Sequence, residues 1–508
     1  MAATERAATE RAATSPVVVW GRWIWRQITS MRVALMLLLL LAVAAVPGSF
    51  FPQRPQDPVA VAEYIEGNPA MGGILDRLGF FNVFGSPWFA AVYILLFISL
   101  IGCIVPRIRT HVRAVRTPPS RVPRHLTRFP AHVSFTTALS AEDVERRLLR
   151  RLRGYRVRVG EDGISAEKGH LRETGNLLFH VALVGILLSF GFGQLSTYRG
   201  QALVVEGHSF ANSVLDYDSF EAGALVDEAA LDPFRFTLET MTSEFSPTGR
   251  PEAFIAGVSV TEPGNATYPA VIIPNEPLRT GGTAVYLSGN GYAPRIEVRD
   301  GTGALAFSGT VPFLPQDDQY TSTGVIKVPD VTTGAQLGFT GQLLPTAVEA
   351  DDGAYSAHPS PANPVMLLWV WQGDLGLDDG VPQNVYQLDT EGMTEVLGET
   401  GQPAVVVLSP GQTAQLPDGL GEITFVELPR FAALDLRHDP SLPWLLGTAV
   451  AAMLGLMGSL FVPRRRVWVR ATPVDGGTAV EAAALARGED AGLPAELDSL
   501  LAELRKGE

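Results

Sequence analysis

The sequence contains almost no cysteine and few charged residues for its length. Cys103 is the single cysteine among 508 residues, and it lies within an apolar run. One cysteine excludes an intrachain disulfide and a C-x-x-C thiol relay, so any thiol chemistry must come from a partner. Charged residues make up 18% of the chain, whereas soluble domains average about a quarter. With 46% hydrophobic residues, this composition favours a membrane protein that also has a large soluble part.

Other absences concern catalysis and charge. The chain has no paired carboxylates, no Ser/His/Asp set and no glycine-rich phosphate loop, so catalysis by this chain alone is not expected. Residues 196–440 lack helical periodicity and contain only nine Lys and Arg against 32 Asp and Glu. An acidic region of this kind argues against nucleic acid as a partner.

Four apolar runs are long enough to cross a bilayer, which takes about twenty residues in a helix. They cover residues 33–51, 88–105, 175–195 and 442–462. A cleaved signal peptide is the alternative for the first run, because a basic segment precedes it and small residues follow it. The run is long for a signal peptide and no A-x-A site follows, which favours an uncleaved span. Small residues recur near helical spacing in the last run and favour close helix packing: Gly447, Ala451, Gly455 and Gly458.

Arginines mark one end of two of these runs. Sixteen Lys and Arg lie between Arg107 and Arg172, and four arginines lie between Arg464 and Arg470. Positive charge beside a span marks its cytoplasmic end. The pattern therefore predicts a multi-pass protein of the plasma membrane, with both termini in the cytoplasm and residues 196–440 outside.

The segments that flank the spans differ in composition. Residues 1–32 start with a repeated ATERA tract, predicted to be a disordered cytoplasmic lead. They end in WGRWIWRQITSMR, which is typical of a membrane-interface anchor rather than a nucleic-acid site. Residues 52–87 are an extracytoplasmic link with one amphipathic stretch from Val59 to Leu78. Residues 463–508 are predicted to be a cytoplasmic tail that ends in a helix.

Residues 106–174 are predicted to form a small basic α/β insert in the cytoplasm. AHVSFTT is typical of a strand, and SAEDVERRLLRRLRG of a helix with Ser140 as its N-cap and Asp143 at the third position. YRVRV and ISAEK flank the turn residues Glu161, Asp162 and Gly163, which predicts a hairpin. The expected unit is β-α-β-β.

Residues 196–440 hold short strand-like segments separated by Gly, Pro, Asp and Asn turns. Examples are FRFTLE, AFIAGVSV, VMLLWVW and EITFVEL. A spacing of roughly 8–12 residues is typical of an all-β sandwich or barrel. We therefore predict a polytopic α-helical membrane protein of four spans, with a large extracytoplasmic all-β domain of one or two sandwich-like lobes and a small cytoplasmic α/β insert.

His180 is the one histidine of eight that lies inside a predicted span. It interrupts the apolar run of the third span, where an unpartnered polar group is costly. A helix-packing histidine, hydrogen-bonded to a neighbouring span, would explain it. A ligand to a metal or cofactor is the alternative, because ionisable residues at this depth usually serve a function.

Four pieces of sequence carry a resemblance to a known family. They are WRQITSMRVALMLLLLLAVAAVPGSFFPQ at the first span, EKGHLRETGNLLFHVALVGILLSFGFG at the third, NEPLRTGGTAVYLSGNGYAPRIEVRDGTG in the β-region and HDPSLPWLLGTAVAAMLGLMGSLF at the fourth. In their order and spacing, the chain resembles the ResB/CcsB family of cytochrome c biogenesis proteins. The resemblance covers Trp25 to Arg470 and leaves out both ends of the chain.

The resemblance implies a function shared between two proteins. Such a protein works with a ResC/CcsA-type membrane partner as a system II cytochrome c synthase, which moves haem outward and attaches it to the C-x-x-C-H thiols of apocytochrome c. This chain would then be a subunit of a haem lyase complex and not a catalyst on its own. The family also implies haem b, shared with the partner, and His180 matches its axial ligand to the haem iron. A thiol-reducing protein is a further expected partner.

The residues leave alternatives open. The same topology would serve a membrane-anchored extracytoplasmic receptor or binding module without a cofactor, whereas the scarcity of polar residues in the spans disfavours a transporter. His438, at the mouth of the fourth span, could contact haem or help position the substrate, but a solvated interfacial residue is favoured and no role is assigned to it. His208 and His358 are expected to be surface residues of the β-region. His170 is a weaker candidate for a role in haem uptake. Several β-region glycines predict turns with positive φ: Gly281, Gly282, Gly289 and Gly291.

Overall fold

The structure, a computed structural model, describes residues 16–56, 58–350, 353–377, 386–398, 401–488 and 490–505. The part of the predicted disordered lead that comprises residues 1–15 lies outside the described residues. The chain divides into two compact units. We call residues 1–192 together with 441–508 the spanning unit, and residues 193–440 the β-domain.

Helices make up most of the spanning unit. Four segments are long and apolar enough to cross a membrane: Met31–Phe50, Pro87–Arg116, Leu171–Ser196 and Leu442–Phe461. The prediction of four candidate membrane helices is therefore confirmed. In chain order the helices are α1 (Pro16–Ile28), α2 (Met31–Ala45), α3 (Pro47–Phe50), α4 (Pro58–Gly67), α5 (Pro69–Arg77), α6 (Pro87–Arg116), α7 (Ala141–Arg151), α8 (Leu171–Ser196), α9 (Leu442–Phe461) and α10 (Leu493–Arg505).

The amphipathic stretch predicted from Val59 to Leu78 is two helices, α4 and α5, instead of one. Pro69 explains the break, because proline lacks the N–H that a continuing helix would need but fits the first position of a new one.

The strands are numbered in chain order. They are β1 (Ala131–Thr137), β2 (Arg156–Gly160), β3 (Gly163–Lys168), β4 (Tyr198–Val205), β5 (Ser209–Ala211), β6 (Ser219–Ala222), β7 (Arg235–Phe245), β8 (Pro251–Thr261), β9 (Tyr268–Ile272), β10 (Leu278–Thr280), β11 (Thr283–Tyr292), β12 (Arg295–Asp300), β13 (Leu305–Thr310), β14 (Leu314–Pro315), β15 (Ser322–Val328), β16 (Gln336–Leu344), β17 (Ala347–Ala350), β18 (Gly353–Ser356), β19 (Val365–Gly373), β20 (Met393–Glu395), β21 (Val405–Leu408), β22 (Gln412–Gln415), β23 (Gly421–Glu427), β24 (Arg430–His438), β25 (Arg465–Val474) and β26 (Gly477–Ala486). Almost all of them lie in the β-domain, as the sequence predicts.

The β-α-β-β order predicted for residues 106–174 is confirmed by β1, α7, β2 and β3. The Ser140 hydroxyl accepts a hydrogen bond from the Asp143 backbone N–H at 3.2 Å, as expected of an N-cap. β2 and β3 form the predicted hairpin, with Gly160 opposite Gly163.

The sheet of this α/β region is completed by the end of the chain. Its antiparallel strand order is β1-β26-β25-β3-β2, so the two strands from residues 465–486 lie at its centre. Helices α7 and α10 cover one face, where Leu148 and Leu501 are fully buried. Residues 463–508, described from the sequence as a tail with a terminal helix, thus also supply two strands that the sequence did not reveal.

The β-domain contains two large hydrophobic cores, each between two antiparallel sheets, and a small third cluster around Phe431. One core joins the sheet β10-β11-β24-β4-β6 to the sheet β5-β7-β8-β9 and includes Phe236 and Leu434. The other joins β13-β12-β23-β22 to the sheet built on β15, β16 and β19, and includes Phe339 and Phe425. Buried and half-exposed side chains alternate along strands such as β19, as expected when one face of a sheet is covered. The β-domain is therefore two sandwich-like lobes.

Candidate functional site

His180 lies in α8, and its ring is fixed by its own helix. The imidazole Nδ1 is 2.7 Å from the carbonyl oxygen of Asn176, one turn earlier. A carbonyl oxygen only accepts hydrogen bonds, so this contact requires the proton on Nδ1. In the neutral ring Nε2 then carries the free lone pair, and it has no hydrogen-bond partner among the described residues. This is the tautomer in which histidine binds a metal through Nε2.

His180 lines an apolar cavity of about 620 Å³. We call it the apolar cavity; its walls are α2, α6 and α8, with side chains such as Leu38, Leu100 and Leu183. Pockets of about 300–1,000 Å³ with mostly apolar walls and few polar groups are typical of cofactor sites. Apart from His180, the side chains with hydrogen-bonding or charged groups in the lining are Thr29, Cys103 and Arg107. The cavity therefore suits a large apolar molecule whose metal is bound by one imidazole.

Close contacts between α6 and the residues that join α1 to α2 shape one wall of the apolar cavity. The Ser99 hydroxyl donates to the Ile28 carbonyl at 2.5 Å, and the Cys103 thiol donates to the Thr29 carbonyl at 2.9 Å. A side chain at Gly102 would collide with Thr29. Cys103 is thus a packing residue, as predicted, and its thiol is engaged with the backbone.

Glycines bring α8 and α9 together beside His180. A Cβ atom at Gly455 would lie 2.5 Å from the Phe179 backbone nitrogen, directly before His180 in the chain. A Cβ at Gly175 would lie 2.7 Å from the Gly455 carbonyl oxygen. The predicted close packing is confirmed at Gly455, whereas a Cβ at Gly447 would meet nothing within 4 Å. On the other side of α8, the Tyr93 hydroxyl of α6 donates to the Leu187 carbonyl.

A second, polar cavity of about 320 Å³ lies beside the apolar one. The two share Pro106 and Arg107 in their linings, and we call the second one the polar cavity. Its walls include His111, Asn176 and Arg487. Asn176, whose carbonyl oxygen holds the His180 ring, therefore borders the polar cavity while His180 borders the apolar one.

Ion pairs surround the polar cavity. Glu173 is paired with Arg464 and Arg487. The largely buried Glu167 is 2.9 Å from Arg466 and 3.7 Å from Arg464. These contacts tie β3 and the start of α8 to β25 and to the residues just before β25 and just after β26. The carboxylates here are neutralised by arginines of the same unit.

His170 is bound into this ion-pair cluster and lines neither cavity. Its Nε2 is 3.5 Å from Glu167 and 3.3 Å from Arg156. Burial, together with the charges of Arg464 and Arg156, lowers the pKa of its imidazole. The histidine that does border the polar cavity is His111, whose Nε2 is 3.0 Å from the Thr174 hydroxyl. No local sequence pattern distinguishes His111 from His170 in this respect.

His438 differs from its sequence-based description as a solvated residue. Its ring stacks on Tyr198, with 5.0 Å between ring centroids and 3° between planes. Its Nδ1 is buried and has no hydrogen-bond partner among the described residues. Gly282, with φ of 69°, leaves room for the ring, since a Cβ there would lie 3.1 Å from His438 Cε1. His438 is half-exposed and lies where β24 pairs with β4 and β11, so one side of its ring is packed while the rest remains accessible.

Other predictions for the β-domain were correct in part. His208 is exposed, as predicted. His358 is not a simple surface residue, because its Nε2 is 2.9 Å from the Ser246 carbonyl and its Nδ1 accepts from the Ser360 N–H. Positive φ occurs at Gly281 and Gly282 but not at Gly289 or Gly291, which lie within β11.

The residues of the apolar cavity fit a haem group with one ligand from this chain. The Nε2 atom of His180 has no hydrogen-bond partner among the described residues, the walls are apolar, and Arg107 belongs to the lining. No cluster of three or more His, Cys, Asp or Glu side chains suited to a bare metal ion occurs in the described ranges. In the sequence, Arg107 is one of several arginines that orient the second span. Its spacing of four residues from Cys103 places both on one helix face, but no local pattern distinguishes it from the neighbouring arginines.

Comparisons with known proteins agree with this architecture. A "Cytochrome c biogenesis protein CcsB" of a Synechococcus species (strain WH7803) is 26% identical over 340 residues, which cover 66% of this chain and 76% of that protein. Proteins with the same name in Synechococcus elongatus and Thermosynechococcus vestitus are each 24% identical, over 87% and 86% of this chain and 85% and 87% of their own lengths.

The four helices, each long and apolar enough to cross a membrane, make the chain a multi-pass membrane protein. The family model described as "ResB-like family" matches residues 31–498, which include the four spans, the whole β-domain and the α/β sheet. Because this match extends over most of the chain, the protein belongs to the ResB-like family.

Proposed function

We propose that this protein is a subunit of a system II cytochrome c synthase. With a ResC/CcsA-type partner, it moves haem to the extracytoplasmic side and supports its covalent attachment to the C-x-x-C-H thiols of apocytochrome c. The names of the relatives support a role in cytochrome c biogenesis. The observation that carries the haem assignment is His180, whose Nε2 has no hydrogen-bond partner among the described residues and whose ring lines an apolar cavity between three helices.

Each residue of the site has a role in this proposal. His180 would bind the iron of haem b through Nε2, and the partner subunit would share the haem. The Asn176 carbonyl keeps the proton on Nδ1 and orients the ring, as the second hydrogen bond of metal-binding histidines commonly does. The leucines of α2, α6 and α8 exclude water. Bound haem would supply the iron and the vinyl groups that react with cysteine thiols.

The β-domain has a supporting role in this proposal. It contains no cysteine, so it cannot exchange disulfides. We assign it to holding apocytochrome c or the outer loops of the partner. The reactive thiols then belong to apocytochrome c, kept reduced by a separate thiol-reducing protein.

The proposed orientation places the β-domain outside and the α/β sheet inside. The arginines that follow Pro106 in α6 and those that follow α9 support it, because positive charge is retained in the cytoplasm. Alkaline phosphatase fused at Gly301 should be active, and a fusion at Gly163 should be inactive. The reverse pattern would contradict the orientation of the whole chain.

The haem assignment is tested by replacing His180 with glycine in the complex purified with its partner. His180→Gly removes the ligand and leaves a hole of imidazole size. The Soret absorbance per protein and the yield of c-type cytochrome should both fall, with the membrane level of the protein unchanged. Added imidazole should restore part of both, because it can enter the hole and bind the iron.

His208→Gly is the matched control, since His208 is an exposed histidine of the β-domain. It should leave absorbance and cytochrome yield unchanged. If His180→Gly retains its Soret band and full cytochrome maturation, His180 is a packing residue and the haem assignment fails. A wild-type complex without any Soret band would instead favour the membrane-anchored receptor without cofactor.

A further inference from the structure

Arg107 is the cation at the junction of the two cavities. It belongs to the linings of both the apolar and the polar cavity. Its guanidinium makes no hydrogen bond or ion pair with the residues that the structure describes. Arg464 and Arg487 nearby are each paired with Glu173. Arg107 is therefore free to bind an anion.

The surroundings of Arg107 restrict what that anion can be. One side of it is a large apolar space, which takes an apolar body and excludes a bare inorganic ion. The other side is polar and is bordered by His111, Asn176 and Arg487. Glu173, the carboxylate of the polar cavity, does not compete, because its two arginines neutralise it. The geometry thus favours an amphiphile with an anionic edge.

We propose that Arg107 binds the carboxylates of the porphyrin whose iron His180 ligates. The planar guanidinium fork matches a carboxylate in a bidentate arrangement. The macrocycle would then lie in the apolar cavity with its carboxylate edge directed at the polar cavity. This assignment rests on the proposed haem function and adds to it the orientation of the ligand and the residue that fixes it.

A phospholipid also combines an anionic group with an apolar body. Two observations favour the porphyrin. His180 faces the same space with an unused ligand nitrogen, which an acyl chain does not require. The space is also lined by three helices, α2, α6 and α8. A long and flexible acyl chain does not need a site shaped by three helices. Binding of a lipid phosphate at Arg107 is one of the outcomes that the experiment distinguishes.

The experiment measures binding of zinc protoporphyrin IX and of its dimethyl ester to the purified full-length chain in nanodiscs of neutral lipid. A zinc porphyrin accepts one axial ligand and fluoresces, so binding is read without any enzymatic activity. Arg107→Gln should weaken binding of the free acid by about tenfold or more, since a charge-assisted hydrogen bond is lost. It should leave binding of the dimethyl ester unchanged.

Arg109→Gln is the matched control. Arg109 carries the same charge two residues further along α6 and is exposed, as Arg107 is, but it lines neither cavity. This variant should bind both porphyrins as the wild type does. Equal weakening of the acid and the ester by Arg107→Gln would overturn the proposal, because it would mean a loss of packing. An unchanged affinity for the acid would overturn it as well.

Two further arms separate the remaining explanations. If Arg107→Gln affects binding only in nanodiscs of anionic lipid, the partner of Arg107 is a lipid phosphate and the proposal is wrong. His180→Gly should weaken the binding of both porphyrins, whatever the role of Arg107. If the His180→Gly variant binds both porphyrins normally, the proposed haem function fails. A selective loss of free-acid binding in Arg107→Gln would still support the role of Arg107 in carboxylate binding. A wild-type chain that binds neither porphyrin would refute both.

Discussion

The spans and the β-domain use the same kinds of apolar side chain in opposite ways. In the β-domain, Phe236, Phe339 and Phe425 are completely buried between sheets. In the most apolar window of each of the four spans, only 0%, 17%, 17% and 11% of the residues are buried within the chain. The β-domain thus covers its apolar surface with its own residues. The spans leave theirs to lipid and to other proteins.

This difference indicates where stability comes from in each region. Burial of apolar area drives folding of the β-domain in water. Lipid offers no such driving force between helices, so the spans depend on close backbone approach and on a few hydrogen bonds. A large-to-small change should therefore damage the β-domain most, and a small-to-large change should damage the spans most.

The largest expected effect tests the first half of that contrast. Phe425→Ala empties part of the core between β23 and the facing sheet and should cost about 3–5 kcal/mol. The measurement is thermal unfolding of the strand signal by circular dichroism of the full chain. Val407→Ala, on a strand of the same lobe but 55% exposed, should change stability by less than about 0.5 kcal/mol. Similar shifts for the two variants would contradict a self-contained core.

The second prediction adds volume where two spans meet. Gly455→Leu should force α9 away from the Phe179 backbone, at a cost of about 1–3 kcal/mol. Because His180 follows Phe179, binding of zinc protoporphyrin IX should fall together with the membrane level of the protein. Gly447→Leu adds the same side chain in open space and should change neither. Normal porphyrin binding by Gly455→Leu would show that α9 does not position the histidine.

The third prediction concerns pH and the ion-pair cluster at the start of α8. The pKa of His170 is lowered in the folded state by burial and by Arg464 and Arg156. The unfolded chain therefore takes up the proton first, and stability falls as the pH drops below the ordinary imidazole value of about 6.5. His170→Gln should reduce this fall, measured as the unfolding midpoint at pH 7.5 and 5.5. An unchanged pH dependence in the variant would exclude His170 as its source.

The smallest expected effect is that of Cys103→Ala. Its thiol makes one weak hydrogen bond, to the Thr29 carbonyl. Cytochrome maturation and the level of the protein should be unchanged within error. Loss of maturation with the protein still present would make Cys103 chemically active and would contradict its assignment to packing.

The sequence predicts the four spans well because the apolar runs are long and the physical rule is simple. It also predicts the β2–β3 hairpin, whose two-residue turn and alternating strands are local signals. His180 stands out for the same reason, as a polar residue in an apolar run. Arg107 does not, because its importance depends on α2 and α8, which reach the cavity from distant parts of the chain.

The two strands missed near the end of the chain have a specific physical cause. β26 contains Ala482, Ala483 and Ala484, all fully buried. Alanine is uncommon in strands, so the local pattern does not indicate one. The strand is covered on both faces, with Ala482 and Ala484 in the core under the helices and Ala483 in the core beside Trp468. Small side chains suit this crowded central position, which no local rule reveals.

Because β25 and β26 lie at the centre of the sheet, the sheet can form only late in synthesis. A ribosome makes β1, β2 and β3, then the whole β-domain, and only afterwards the two strands that join β1 to β3. Until then β1 has no partner strand, and the long stretch of chain between β1 and β26 makes formation of the sheet slow. A nascent chain that stops early keeps its first three spans and an open strand edge, which favours aggregation and degradation. Closure of this sheet therefore waits for residues 465–486.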